Sequence, residues 1–289
     1  MALLQVIRLP RRGWAGLGLV ATFWILNWTL TDLRTHWAFF PMWLGYCLVV
    51  DAWAWARTGS SLWSRSRRGY IGLFIASVPL WWLFELINRR TANWSYLGRE
   101  NFTDLEYALL ASLSFSTVLP AVFGTAELVG SLPWLRRLEG GRGIRLLRPW
   151  WATSLVGVLA LGACLAWPVY FFPLVWLSLF LIVDPVNARR GAPSILSHLA
   201  SGEWRPAVAL GMGALICGFF WELWNFYSYP RWEYHIPFVD FLRVFEMPLV
   251  GYGGYVPFAL ELFALYHLLA GLGNRDRGTA LLRLPGAVR

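Results

Sequence analysis

The chain has 289 residues, of which 57% are hydrophobic, 17% aromatic and only 14% charged. That composition leaves too little polar surface to cover a soluble domain of this size, so a bilayer has to cover the rest. The net charge of +9 comes wholly from arginines, which fall in short clusters between apolar stretches; the pattern reads as membrane topology and not as a nucleic-acid surface.

The first apolar run, 14–31, leads into Asp32, Arg34 and His36 with no small-residue cleavage site, so it reads as a span and not as a removable leader. Further spans are predicted over 37–56, 70–88, 105–130, 150–168, 172–188, 206–227 and 247–270. A single helix over 150–188 would be about 58 Å long, more than a bilayer needs, and Pro168 and Pro173 mark the turn that divides it. With eight spans and both termini cytoplasmic, 19 of the 25 arginines lie in inner segments. The other six are Arg34, Arg89, Arg90, Arg99, Arg231 and Arg243, the bias that the positive-inside rule requires.

The second half echoes the first. FFPMWLGYCLVVDAWAWARTG (39–59) recurs as FFPLVWLSLFLIVDPVNARRG (171–191), FELIN (84–88) as WELWN (221–225), and NWSY (93–96) as RWEY (231–234). Pro120 corresponds to Pro257 at the offset of 137 that also relates Glu85 to Glu222. The expected fold is therefore all-α: a polytopic transmembrane helix bundle of about eight spans, built as two tandem parallel four-helix repeats. Residues 1–135 form the first repeat, 136–148 an Arg-rich cytoplasmic linker and 149–289 the second repeat. An even number of spans per copy makes the copies parallel, and sites are expected between them.

Ionisable groups inside spans cost roughly 2.5–3.5 kcal/mol each, so each needs a partner or a purpose. Asp51 and Asp184 precede arginines by five or six residues and read either as interfacial anchors or as partners of those arginines. Glu85 with Asn88, and Glu222 with Asn225, lie at i and i+3 on one helix face near the end of a span. Such faces either converge on one pocket, where a carboxyl can act as a general acid, or bind helices together by hydrogen bonds. Glu246 is expected to open the last span and Glu261 to lie inside it, flanking MPLVGYGGYVPF (247–258). The three glycines and two prolines of that run loosen a helix, and irregular backbone at membrane depth is tolerated where it lines a cavity. Tyr252 and Tyr255, together with Trp221 and Trp224, then form a substrate wall; Trp53 is also placed deep in the bilayer, and packing is the alternative for these side chains. Cys47, Cys164 and Cys217 read as small buried hydrophobes. His36, His198, His235 and His267 offer no intramembrane pair for haem, and no phosphate loop or metal set is present, so no metal and no cofactor is expected.

In each half an acid near a span end is followed nine or ten residues later by Trp-x-Tyr: Glu85 by Trp94-Ser95-Tyr96, and Glu222 by Trp232-Glu233-Tyr234. A further acid, Glu106 or Glu246, opens the next span. This arrangement resembles the duplicated domain of the integral-membrane lycopene cyclases of bacteria, archaea and fungi. The Pro-x-Glu-Glu of that family reads Asp-Leu-Glu-Tyr (104–107) and Phe-Glu-Met-Pro (245–248) here. The resemblance implies a membrane fold with an apolar, isoprenoid-sized cavity, and protonation of a carotene double bond by embedded carboxyls, with Glu85, Glu222 and Glu246 as the acids. Binding or modification of a polyisoprenoid or other membrane lipid between the halves is thus the expected function. The alternatives are a proton- or ion-coupled transporter, with Asp51, Glu127, Asp184 and the glutamates as a relay, and a non-catalytic accessory subunit that docks partner membrane subunits or a second copy. The location expected is the bacterial cytoplasmic membrane.

Overall fold

The computed structural model describes residues 9–30, 36–144, 149–273 and 281–284. Several charges used above to read topology, Arg8, Asp32, Arg34, Arg145, Arg148, Arg275, Arg277 and Arg289, lie outside them. Pro10, which has no amide hydrogen to leave unpaired, precedes α1 (Arg11–Thr29). The chain returns as α2 (Phe39–Thr58), and the two cross so closely at Gly16 and Gly45 that a Cβ on either glycine would meet the other's carbonyl oxygen at 2.6–2.7 Å. A one-turn α3 (Leu62–Arg65) leads to α4 (Arg67–Thr91), then to β1 (Trp94–Leu97).

The helix predicted over 105–130 is two helices, α5 (Asp104–Phe115) and α6 (Val118–Gly130). Pro120 removes a donor from the joint, and Ser77 of α4 takes over there: its hydroxyl donates to Phe115 O at 2.6 Å and accepts from Leu119 N at 3.1 Å. The second half runs through α7 (Trp150–Ala166), α8 (Pro168–Phe171), α9 (Val175–Arg189), α10 (Ile195–Ala200) and α11 (Arg205–Phe226). It continues with β2 (Arg231–Tyr234), β3 (Arg243–Val244), β4 (Met247–Pro248) and α12 (Tyr255–Gly273). The chain does break between Pro168 and Pro173, with the single turn of α8 inside the break.

Among the described residues, six helical stretches are long and apolar enough to cross a membrane: Phe39–Thr58, Arg67–Thr91, Asp104–Gly130, Pro168–Arg189, Arg205–Phe226 and Leu249–Leu272. An all-α bundle with this content points to an integral membrane protein. Helix α1 lies along α2 and α7 along α9, while α2, α4, α6, α9, α11 and α12 enclose the core.

Four expectations need correction. Strands were not foreseen, yet β1 and β2 pair antiparallel, and β3 with β4. Asp51 and Asp184 do not pair with the arginines that follow them. Instead Asp51 accepts from Ser61 Oγ (3.0 Å), Trp63 N (2.9 Å) and Arg12 Nε (2.9 Å), and Asp184 from Ser194 Oγ (2.7 Å), Ile195 N (3.0 Å) and Leu196 N (2.8 Å). Short helices begin with amides that have no intrahelical acceptor, and each aspartate supplies one to α3 or α10. Glu246 does not open the last helix but sits in the β3–β4 turn, because Leu249–Gly254 winds as a 3-10 turn and delays α12 to Tyr255. Trp53 is 52% exposed on the outside of the bundle. The three cysteines are buried and free.

Candidate functional site

Asn88 and Asn225 stand near the ends of α4 and α11, where each chain must leave a helix and turn back across the bundle. Asn88 donates from Nδ2 to Trp94 O (2.8 Å), and its Oδ1 accepts from Asn93 N (2.9 Å) and Trp94 N (3.3 Å). Asn225 donates to Trp232 O (2.8 Å) and accepts from Trp232 N (2.9 Å). Each asparagine thereby holds the first tryptophan of a Trp-x-Tyr strand. The strands pair in the register Trp94 to Tyr234, Ser95 to Glu233 and Tyr96 to Trp232, so each tryptophan faces the other strand's tyrosine. Side chains alternate along a strand, which puts all four aromatic groups on one face, directed into the bundle.

The tyrosines reach the two glutamates. Tyr96 donates to Glu85 Oε1 at 2.5 Å and Tyr234 to Glu222 Oε1 at 2.8 Å. Glu85 Oε1 also accepts from the indoles of Trp81 (2.9 Å) and Trp94 (3.1 Å), and Glu222 Oε1 from the Tyr255 hydroxyl (2.7 Å). Trp81 lies four residues before Glu85. Four residues before Glu222 the chain has Gly218, and the Tyr255 ring fills that space so closely that a Cβ would overlap it. Burial, followed by the adjacent glutamate, pushes the hydroxyls of Tyr96 and Tyr234 well above the usual tyrosine range. Both therefore stay protonated and act as hydrogen-bond donors.

Behind the paired strands lies a cavity of about 620 Å³, bounded by β1, β2, α5, the start of α9, α11 and the start of α12. Its wall is predominantly aromatic: Trp81, Trp94, Trp176, Trp221, Trp232 and Phe258 all contribute. Trp176 stacks on Phe84 (5.6 Å between centroids, 26° between planes) and on Trp94 (5.9 Å, 24°). Among the described residues, two charged side chains border it, and both are paired: Arg99 with Asp104, and Arg231 with Glu233 (2.8 Å) and Glu246 (3.4 Å). Apolar walls with few polar groups suit a hydrocarbon guest and disfavour an ion or sugar, whose hydration such walls cannot replace.

The structure brings together only part of the residue set named from sequence. Trp221 and Tyr255 are on the wall, with Gly251, Gly253 and Gly254 of the irregular run. Glu85 and Glu222 stand one hydroxyl behind it. Asn88 and Asn225 are backbone clamps. Trp224 is 1% exposed and packs against Trp43 and Phe220 in the core. Tyr252 donates to Val244 O (3.2 Å), and Glu246 pairs with Arg231 and with Arg243 (3.5 Å) outside the wall. Glu261 accepts from the amides of Leu179 (2.9 Å) and Phe180 (3.4 Å), which ties α12 to α9. Sequence reasoning passed over Trp176, Ala111 and Phe115, all on the wall. The recurrence of 39–59 at 171–191 contains Trp176, but a tryptophan inside a span reads as packing until its neighbours are known. Among the described residues, no three His, Cys, Asp or Glu side chains converge as metal ligands would. No protein-family model, curated protein or solved structure matches the chain, so the geometry above carries the functional argument.

Proposed function

We propose that the protein is a multi-pass membrane protein that binds a polyisoprenoid or another lipid chain in the cavity between its two halves. The single observation that carries this reading is the roughly 620 Å³ aromatic chamber behind the paired Trp-x-Tyr strands, which offers a long apolar guest contact and, among the described residues, no unpaired charge. The halves are read as two tandem four-helix repeats with eight crossings, formed by α1, α2, α4, α5 with α6, α7, α8 with α9, α11, and α12. The matched clamps of Asn88 and Asn225, the matched caps of Asp51 and Asp184, and the crosswise pairing of β1 and β2 support the repeat. Helices α1 and α7, of 19 and 17 residues, reach about 28 and 25 Å at 1.5 Å per residue, enough for the hydrocarbon core when its rim thins slightly. The arginine bias supports a cytoplasmic position for both termini.

A relay for protons or ions is less well supported. Asp51 and Asp184 are taken up as helix caps, and Glu127 pairs with Arg65 and accepts from Arg283 N (2.7 Å). Acid chemistry on a bound polyene draws support from Glu85 and Glu222, each one hydroxyl from the cavity.

Lycopene bound in a chiral, rigid cavity acquires circular dichroism in its own absorption band, and the purified protein is expected to induce it. Ala111→Trp, which places an indole into the cavity from α5, is expected to weaken that binding tenfold or more. An equal signal from both proteins rejects the site. The same sample, extracted and separated, tests the acid chemistry. A ring-closed product lost on Glu85→Gln or Glu222→Gln supports it, and unchanged lycopene rejects it.

A further inference from the structure

The cavity is rimmed at one place by aromatic rings. Tyr170, on the single turn α8, and Phe238, in the segment between β2 and β3, both line it. Yet Tyr170 is 70% exposed and Phe238 71% exposed. Their rings stack on each other, 5.9 Å between centroids and 21° between planes. Residues that line the cavity and are also this exposed stand at its rim, and here the rim is a stacked pair of rings. The neighbouring elements expose further apolar side chains: Trp167, Val169 and Phe171 around Tyr170 in the chain, and Phe241 and Leu242 in the segment of Phe238, with Leu249 joined to Leu242 through its amide, all more than a third exposed. On a membrane-spanning bundle, such a surface belongs against lipid chains.

The backbone that carries Phe238 is also unusual. Phe238, Leu242 and Phe245 have φ of +66°, +51° and +58°, left-handed conformations that bulky side chains rarely hold. The base of the segment is pinned by charge, Arg243 to Asp240 and Glu246, and Arg231 to Glu246. A pinned base with a strained apolar tip can exchange between two positions at low cost, and a stacked pair of exposed rings separates by rotation alone. On the opposite side, α8 is a single turn between Trp167, where α7 has ended, and the 3-10 turn at Phe172–Leu174, so it too is a short, separate element.

We propose that Tyr170 and Phe238 are the gate of a lateral portal, through which a hydrocarbon chain passes between the cavity and the membrane leaflet at the end of the bundle that carries β1 and β2. This rests on the reading of the cavity as a lipid site. The test joins the two positions reversibly. In a Tyr170→Cys/Phe238→Cys variant, the native cysteines being buried, a short bis-methanethiosulfonate cross-linker, which joins each thiol through a disulfide, locks the gate and reductant releases it. The measured quantity is the rate at which lycopene, supplied in vesicles, gains induced dichroism. The expected result is at least a tenfold slower rise in the locked protein, restored by reductant. A second variant, Phe238→Ala, removes half the stacked pair and is expected to speed entry several-fold. Equal rates in locked and released protein, or no acceleration by Phe238→Ala, overturn the portal while leaving the cavity site standing. Absence of binding in both states of the gate removes the cavity site and the portal together.

Discussion

Glu222→Leu is expected to destabilise the protein by about 2–6 kcal/mol, the cost of leaving two buried hydroxyl donors without an acceptor at about 1–3 kcal/mol each. The carboxyl is fully buried, and Tyr234 and Tyr255 both donate to its Oε1. Those two tyrosines come from β2 and α12, so a single oxygen ties a strand and two helices together. Glu222→Gln keeps a carbonyl in the same place and is expected to cost no more than about 1 kcal/mol. The mechanism makes a sharper demand on the combined variant. With Tyr234→Phe and Tyr255→Phe added to Glu222→Leu, the orphaned donors are gone, and most of the loss should return even though more polar groups have been removed. Thermal unfolding in mild detergent measures all four proteins. A combined variant weaker than Glu222→Leu alone would mean that the carboxyl acts through something other than these hydrogen bonds.

A loss of about 3–5 kcal/mol is expected for Asp184→Ala, since three buried donors lose their only side-chain acceptor. Asp184 is fully buried, and it satisfies Ser194 Oγ and the first two amides of α10. Asp51→Ala removes the corresponding cap from α3, but one of its partners, the Arg12 side chain, is 22% exposed and can turn to water. Its cost is therefore expected to be the smaller of the two. Thermal unfolding ranks the variants, and hydrogen exchange over Ile195–Ala200 locates the damage, with faster exchange there in Asp184→Ala than in the parent. Equal melting of Asp184→Ala and the parent would show that α10 is held by packing alone.

Sequence patterns carried the helical content well, because a span is written in many consecutive residues and no single one decides it. The break near Pro168 and the loosened run before α12 were readable for the same reason: proline and glycine act through their own backbones. The break inside 105–130 was not, since it depends on Ser77, a serine on another helix that supplies the hydrogen bonds the joint lacks. The pairing of β1 with β2 was invisible for a related reason. Four-residue strands carry too little alternation to register, and their partner lies more than a hundred residues away. Glu85 and Glu222 stood out because a carboxylate in an apolar run is rare. Their pairing with Trp81 and Tyr255 was not legible, because one donor sits on the same helix as its glutamate and the other, Tyr255, named only as a wall residue, comes from a different one. For Asp51 and Asp184 the sequence offers an interfacial position or the nearest arginine, whereas bare helix-start amides, which carry no letter in the sequence, are the stronger claim on them. The wall residues Trp176 and Ala111 were missed because an aromatic or small residue in a span looks the same whether it faces a neighbour or a void.

A chamber with these walls is expected to hold an apolar chain. Native mass spectrometry of the protein, released gently from membranes of its expression host, weighs directly what the cavity retains. The expected spectrum shows the protein with one lipid or polyisoprenoid molecule that survives removal of the detergent and is missing from Ala111→Trp. A bare protein mass, or an adduct retained equally by Ala111→Trp, would contradict it.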